Sequence, residues 1–301
     1  MIWRVLALLL LAALPARAQT GMAGWQGELY PYTAAPYVGP GDLVPGAFVW
    51  WGVRAYNLAY ATAAGGSFDW TCVNGSTFTG TVHVTITGDL NATESGTAES
   101  ECGLQVISVS KIYDQTGNGV NCLQGTSADQ PSYFRTGGGS VRTYNFTSNV
   151  GWCTATSPTT AQPISISLVG GVGPAFGHTT VMIGGVPALS GAININGQYP
   201  TTAACENLTV TYTPAAWNAW QCVGNGASSV FYVESSATPG NAGTTGIGTT
   251  ISFLGETDGS DSQYQAIDEG GMWAEAFTPT QAALLKTNEC TYWGTASYPS
   301  C

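Results

Sequence analysis

The side chains best suited to acid–base chemistry form one acidic loop late in the chain. Glu256, Asp258 and Asp261 lie close together in sequence. Carboxyl groups this close could raise one another's pKa, as a catalytic acid requires near neutral pH. Two other interpretations stay open. Asp258–Gly259 is a common turn pair, and clustered loop carboxylates also suit calcium.

Polar and aromatic side chains elsewhere could contact a sugar. Asp114 and Asn118 lie in one Gly-containing turn, where they could bind hydroxyl groups or form Asx turns, and we favour the turns. Trp217 and Trp220 lie near a Pro-containing loop and are the better candidates for stacking against a sugar ring. Most other tryptophans are expected in the core, but Trp50 and Trp51 are adjacent on a strand, so we expect one of the pair to face outward.

Several other classes of site are excluded because the motifs they require are missing from the sequence. The chain has no G-x-S-x-G string that would give His178 a serine nucleophile. The Gly-rich run at 170–173 lacks the lysine of a phosphate-binding loop. No C-x-x-C pair occurs and the chain has two histidines, so we expect no zinc site.

Period-two alternation dominates the chain and predicts strands. Val82, Val84 and Ile86 alternate in one run, and Leu104–Tyr113 reads as one long strand with Ile107, Val109 and Tyr113 in step. Further strands are predicted at Ile164–Val169, Thr179–Ile183, Ala192–Asn196, Leu208–Tyr212, Val230–Val233 and Ile251–Leu254. Clusters of Gly, Pro, Asn and Ser separate them, as turns require.

A single good helix is predicted, near the C-terminus. Thr278 and Gln281 form a capping box around Pro279, and apolar residues continue towards Glu289. Many short strands with one late, short helix indicate an all-β, two-sheet β-sandwich.

The first 18 residues are typical of a secretory signal peptide. Arg4 precedes an apolar run of about ten residues, which is too short to span a bilayer. Ala16-Arg17-Ala18 then supplies a small-x-small cleavage site. We therefore expect a signal peptide at 1–18, a single domain at 19–301, and a secreted or periplasmic protein.

Charge and cysteine content narrow the partners and the compartment. The net charge of −11 disfavours nucleic acid and anionic membrane surfaces but leaves neutral polymers open. An even number of cysteines in an exported chain implies disulfides, and we expect pairing in chain order. The eight are Cys72, Cys102, Cys122, Cys153, Cys205, Cys222, Cys290 and Cys301.

One string is specific enough to suggest a family. Ile112–Gly119, Ile-Tyr-Asp-Gln-Thr-Gly-Asn-Gly, resembles the Ile-Tyr-Asp-Gln-Ser-Gly-Asn-Gly string in the catalytic domain of family 54 glycoside hydrolases, the α-L-arabinofuranosidases B. Shorter segments resemble the family in the same order. These are Gly39–Asp42, Arg54–Tyr56, Leu254–Gly270, and the closing Asn288 with Tyr292–Gly294.

The resemblance implies a concanavalin A-like sandwich (jelly roll) and a carbohydrate ligand. Asp258 matches the family's catalytic acid/base. The stretch matching the family's nucleophile, Ala192–Gln198, has no carboxylate, and Glu206 is the nearest candidate. For a carbohydrate ligand, the candidate contacts remain Asp114, Asn118, Trp217 and Trp220. No cofactor is implied, apart from the calcium alternative at Glu256, Asp258 and Asp261.

Three hypotheses follow. The first is a hydrolase acting on terminal arabinofuranosyl residues of plant polysaccharides by a two-carboxylate mechanism. The second is a lectin-like binding module of the same fold, and the third is a structural or adhesive surface protein. The sequence does not predict an oligomeric state.

Overall fold

A computed structural model of the chain describes residues 35–135, 144–148, 151–159, 161–172, 180–186, 193–196, 202–205, 208–211, 217–233, 236–243, 247–254 and 265–293. Chain contacts separate Met1–Ala35 from Pro36–Cys301, and the fold below is that of the second unit. The predicted signal peptide lies outside the described residues.

Strands make up most of the described chain. They are β1 Ala47–Gly52, β2 Gly66–Asn74, β3 Ser76–His83, β4 Ile107–Ile112, β5 Cys122–Leu123, β6 Ser132–Arg135, β7 Tyr144–Ser148, β8 Cys153–Thr156, β9 Ile164–Val172, β10 Thr180–Val186, β11 Ile193–Asn196, β12 Thr202–Cys205, β13 Leu208–Thr211, β14 Trp217–Gly224, β15 Ser229–Val233, β16 Ser236–Gly240, β17 Thr250–Phe253 and β18 Gln265–Trp273.

Four α-helices accompany these strands in the described residues. They are α1 Pro40–Leu43, α2 Leu58–Thr62, α3 Ala92–Cys102 and α4 Pro279–Trp293, with short 3-10 turns at Ser127–Asp129 and Gly226–Ser228. None of the described helices has the length and apolar character needed to cross a membrane.

Antiparallel pairing arranges the strands in two layers. The first runs β16–β15–β14–β9–β18, continues with β7 and β1 beside the two halves of β18, and then with β6, β4, β2 and β3. The second runs β5–β8–β17–β10–β11–β12–β13. The layers meet at β4, whose first half pairs with β6 and whose second half pairs with β5. This is the two-sheet sandwich that the sequence predicts.

The core lies between the two layers. The ring of Trp51 in the first layer packs 5.4 Å from that of Phe253 in the second. At Gly270 on β18 a Cβ atom would lie 2.8 Å from Leu168 and 3.3 Å from Ile183, so only glycine allows this close packing. The Cys205–Cys222 disulfide also joins the layers, from β12 to β14.

A second apolar cluster lies on the other side of β1, β14 and β18. It contains Trp50, Trp273 and Val223 from the sheet, together with Phe277, which precedes α4, and Leu285 within α4. Adjacent strand residues face opposite sides, so Trp50 and Trp51 enter different clusters. Both rings are fully buried. The prediction that one of them is exposed is therefore wrong, because helices cover the outer face of the sheet.

The disulfides follow chain order. Cys72–Cys102, Cys122–Cys153 and Cys205–Cys222 are formed. Cys290 is also disulfide-bonded, and its expected partner, Cys301, lies outside the described residues. Disulfides of this kind are typical of proteins that fold outside a reducing cytosol.

The local predictions succeed where patterning is strong. The Thr278 hydroxyl accepts the Gln281 N–H at 3.2 Å and Gln281 Oε1 accepts the Thr278 N–H at 2.8 Å, which confirms the capping box. In β4 a bulge opposite Asp69 and Trp70 shifts the alternation, so Ile112 is buried and Tyr113 is not. Helix α3 was not predicted, because it has no apolar periodicity; the Cys72–Cys102 disulfide holds it to β2.

Candidate functional site

The turn that holds Asp114 and Asn118 lies along the free edge of β1. Asp114 is buried, and its carboxylate accepts the N–H groups of Trp50, Thr116 and Val120 at 3.2, 3.0 and 3.1 Å. Gly117 and Gly119 have φ of +89° and +75°, which lets the chain close this turn. The Asp114 carboxylate therefore serves the backbone, as the Asx-turn interpretation expects.

Neighbouring side chains extend the same arrangement along β1. Asn118 donates to Phe48 O at 3.1 Å, and Gln115 donates to Gly52 O at 2.9 Å. Gln115 also accepts the Tyr56 N–H at 2.8 Å. The turn thus takes the place of a neighbouring strand on the side of β1 that does not pair with β18. We call β1 and this turn the β1 frame.

The other segments that resemble the family also belong to this region. Asp42 accepts the N–H groups of Gly39 and Leu58 at 2.8 and 2.9 Å, and the Gly41 N–H donates to Tyr56 O. Asn288 in α4 donates to Val38 O at 2.8 Å. The segments Gly39–Asp42, Arg54–Tyr56 and Ile112–Gly119 are therefore linked by hydrogen bonds around β1.

One of the two tryptophans predicted to stack on sugar is buried in the core. Trp220 is fully buried in the core, so its ring presents no face to a ligand in this structure. Trp217 begins β14, opposite Gly171 of β9, and its side chain lies outside the described part.

The predicted catalytic carboxylates lie outside the described residues. This applies to Asp258 and Glu206, and to Glu256 and Asp261 of the same acidic loop. The strands before them are described. Phe253 pairs with Ile183, Ile183 with Ile193, and Ile193 with Cys205, so Phe253 and Cys205 end their strands in one row across β17, β10, β11 and β12.

A second pair of carboxyl groups was missed by the sequence analysis. Glu269 of β18 forms an ion pair with Arg54 and accepts the indole N–H of Trp293 at 3.1 Å. Glu289 of α4 accepts the Ser167 hydroxyl at 2.6 Å and the Gln221 amide at 2.8 Å. Ser167 comes from β9, Gln221 from β14, Trp293 from α4, and Arg54 from the segment after β1. We call the two glutamates and these four partners the buried carboxyl cluster.

Burial decides what this cluster can do. Glu269 and Glu289 are 0% and 1% exposed, and Arg54 is 0% exposed. Burial, and then the charge of Glu269, raises the pKa of Glu289 to about 8. The cluster can hold a proton but cannot reach a polysaccharide. In the sequence, this cluster is indicated only by Glu289, which lies on the apolar face of α4 with Leu285 and Tyr292.

Solved structures share this fold. A family 54 α-L-arabinofuranosidase soaked with a cyclic sulfate inhibitor matches with TM-score 0.64 at 14% identity, over 85% of this chain and 65% of that one. A glutamate-to-glutamine variant soaked with 4-nitrophenyl α-L-arabinofuranoside, and an arabinofuranosidase complexed with arabinofuranosyl-α-1,2-xylobiose, match with TM-score 0.63, the same identity and the same coverage. This chain spans only about 65% of the length of those structures.

At this identity the likeness shows the fold and nothing finer. No family model matches the sequence, and no curated protein matches it.

Proposed function

We propose that this chain is an exported carbohydrate-active protein that hydrolyses terminal α-L-arabinofuranosyl residues of plant polysaccharides. The concanavalin A-like sandwich, shared with arabinofuranosidase structures, supports a carbohydrate ligand. The three described disulfides support export. Fold alone does not choose hydrolysis, so the choice depends on the two carboxylates.

The observation that carries the proposal is the shared row of strand ends. β17 and β12 both finish in that row, at Phe253 and Cys205. Asp258 follows Phe253 in the next loop, and Glu206 directly follows Cys205. The segments bearing the two carboxylates therefore start from one row of the same sheet, but β17 and β12 are antiparallel and leave that row in opposite directions. The Cys205–Cys222 disulfide fixes the second of these starting points against β14.

The roles follow from the chemistry of a retaining glycosidase. Asp258 donates its proton to the glycosidic oxygen while Glu206 attacks the sugar, and Asp258 then activates water to release it. The carboxyl groups must approach to about 5–5.5 Å. Three strand spacings put the two strand ends roughly 14 Å apart. The mechanism therefore requires the loop at 255–264 to bring Asp258 towards β12.

The test is release of 4-nitrophenol from its α-L-arabinofuranoside by the mature protein and three variants. We expect Asp258→Asn and Glu206→Gln each to lower kcat at least 100-fold. The matched control, Asp261→Asn, removes a carboxylate from the same loop and should retain activity. Equal rates in the parent and Asp258→Asn would reject the proposal.

Binding without hydrolysis is the second candidate. It is favoured by one observation: Glu269 and Glu289, two carboxyl groups that interact electrostatically, are both buried and cannot reach a polysaccharide. A parent protein that binds arabinan without releasing arabinose would support this candidate. Trp217→Ala, which tests the remaining predicted stacking residue, should then weaken the binding. Loss of that binding in EDTA would indicate calcium at the acidic loop instead.

A further inference from the structure

Helix α4 carries a carboxyl group into a part of the interior that already contains an ion pair. Glu289 lies on the helix face that also buries Ala282, Leu285 and Tyr292. It contacts Ser167 of β9 and Gln221 of β14. The ion pair of Arg54 with Glu269 is fully buried beside it.

A count of charges shows that one carboxyl must hold a proton. The groups that face Glu289 are Glu269 from β18, Arg54 from the segment after β1, Ser167 from β9 and Gln221 from β14. Arg54 is the single cation among them, and it already bonds to Glu269. An ionised Glu289 would add an uncompensated negative charge to a buried site, which is strongly unfavourable.

The hydrogen bonds allow a neutral Glu289. The side-chain Oε1 of Gln221 has no partner among the described residues. The two ends of a side-chain amide are interchangeable by a flip, so Gln221 can either donate to Glu289 or accept its proton. The Ser167 hydroxyl has the same freedom. The site can therefore satisfy a protonated carboxyl without moving.

We propose that Glu289 is a proton-operated latch, which holds α4 against the sheet while its carboxyl is neutral and loosens the helix when the carboxyl ionises. Release of α4 would give the charge access to water.

The direction of the pH effect follows from linkage. Burial, followed by the charge of Glu269, raises the pKa of Glu289 from 4.5 to about 8. The folded state thus keeps a proton that the unfolded state loses. The stabilisation is complete below about pH 4.5. Above that pH the folding equilibrium constant falls by up to tenfold per pH unit, until about pH 8.

The first test compares urea unfolding of the parent and Glu289→Gln from pH 5 to pH 9. The glutamine keeps the shape and cannot ionise. Relative to this variant, the folding equilibrium constant of the parent should fall roughly 50-fold between pH 6 and pH 8. The control, Glu275→Gln, removes an exposed carboxylate before α4 and should follow the parent.

The second test follows α4 itself, through tryptic cleavage after Lys286. The whole chain has seven lysines and arginines, so this cut in α4 is readily identified by mass. We expect cleavage after Lys286 to accelerate near pH 8 in the parent and not in Glu289→Gln. Ser167→Ala, which removes a hydrogen bond to the carboxylate, should move the midpoint to higher pH.

Either of two results would overturn the latch. One is the same pH dependence of unfolding in the parent and Glu289→Gln. The other is cleavage at Lys286 that rises equally in both. If Glu289→Gln does not fold, the Ser167→Ala midpoint decides, and an unchanged midpoint rejects the proposal.

Discussion

At the residue scale, the described side chains of the string that resembles family 54 have structural roles. The side chains of Asp114, Gln115 and Asn118 form hydrogen bonds with the backbone of β1. Few other side chains can form the same turn, so the string can reflect backbone geometry alone. Its presence identifies the scaffold and says nothing about catalysis.

Removing the Asp114 carboxylate should therefore destabilise the fold. Asp114→Ala leaves the N–H groups of Trp50, Thr116 and Val120 without their acceptor. We expect a loss of about 3 kcal/mol in the free energy of unfolding, measured by urea titration. Asp129→Ala, in a nearby turn outside the β1 frame, should cost less than about 1 kcal/mol. An Asp114→Ala variant as stable as the parent would contradict this role.

At the element scale, helix α4 combines predictable and unpredictable features. Its start is predictable from the sequence, because Thr278 and Gln281 form a capping box. Its contact with β9 and β14 depends on tertiary packing, so the role of Glu289 could not be predicted. A glutamate on an apolar helix face is a weak signal until its partners are known.

The capping box gives a prediction that concerns the helix alone. Thr278→Ala removes one cap hydrogen bond and should lower the free energy of unfolding by about 1 kcal/mol. The matched control is Thr280→Ala, at an exposed position in the first turn, which should change it by less than about 0.5 kcal/mol. Equal effects of the two substitutions in urea titration would show that the cap is not stabilising.

At the scale of the whole molecule, the sandwich follows from the alternation of apolar residues and the closing helix. The order of strands does not, because pairing such as β4 with both β5 and β6 depends on contacts distant in sequence. Helix α3 was not predicted because it lacks apolar periodicity. Its stability comes from Asn91, which caps it, and from a disulfide to β2, and neither produces a periodic pattern.

The charge of the molecule also belongs to this scale. The net charge is −11, and Arg54 is neutralised by Glu269 in the interior, so it adds nothing to the surface potential. We expect no retention of the protein on heparin at low salt, because like charges repel. Retention that is reversed by added salt would show a local cationic surface and would reopen polyanionic ligands.

The β1 frame has a further consequence, for the behaviour of the protein at high concentration. A strand with one unpaired side is a template on which another chain can add, and long exposed edges favour aggregation. Here Asp114, Gln115 and Asn118 occupy that side of β1 with side-chain and backbone groups. The turn that resembles an enzyme family therefore also shields an edge from intermolecular pairing.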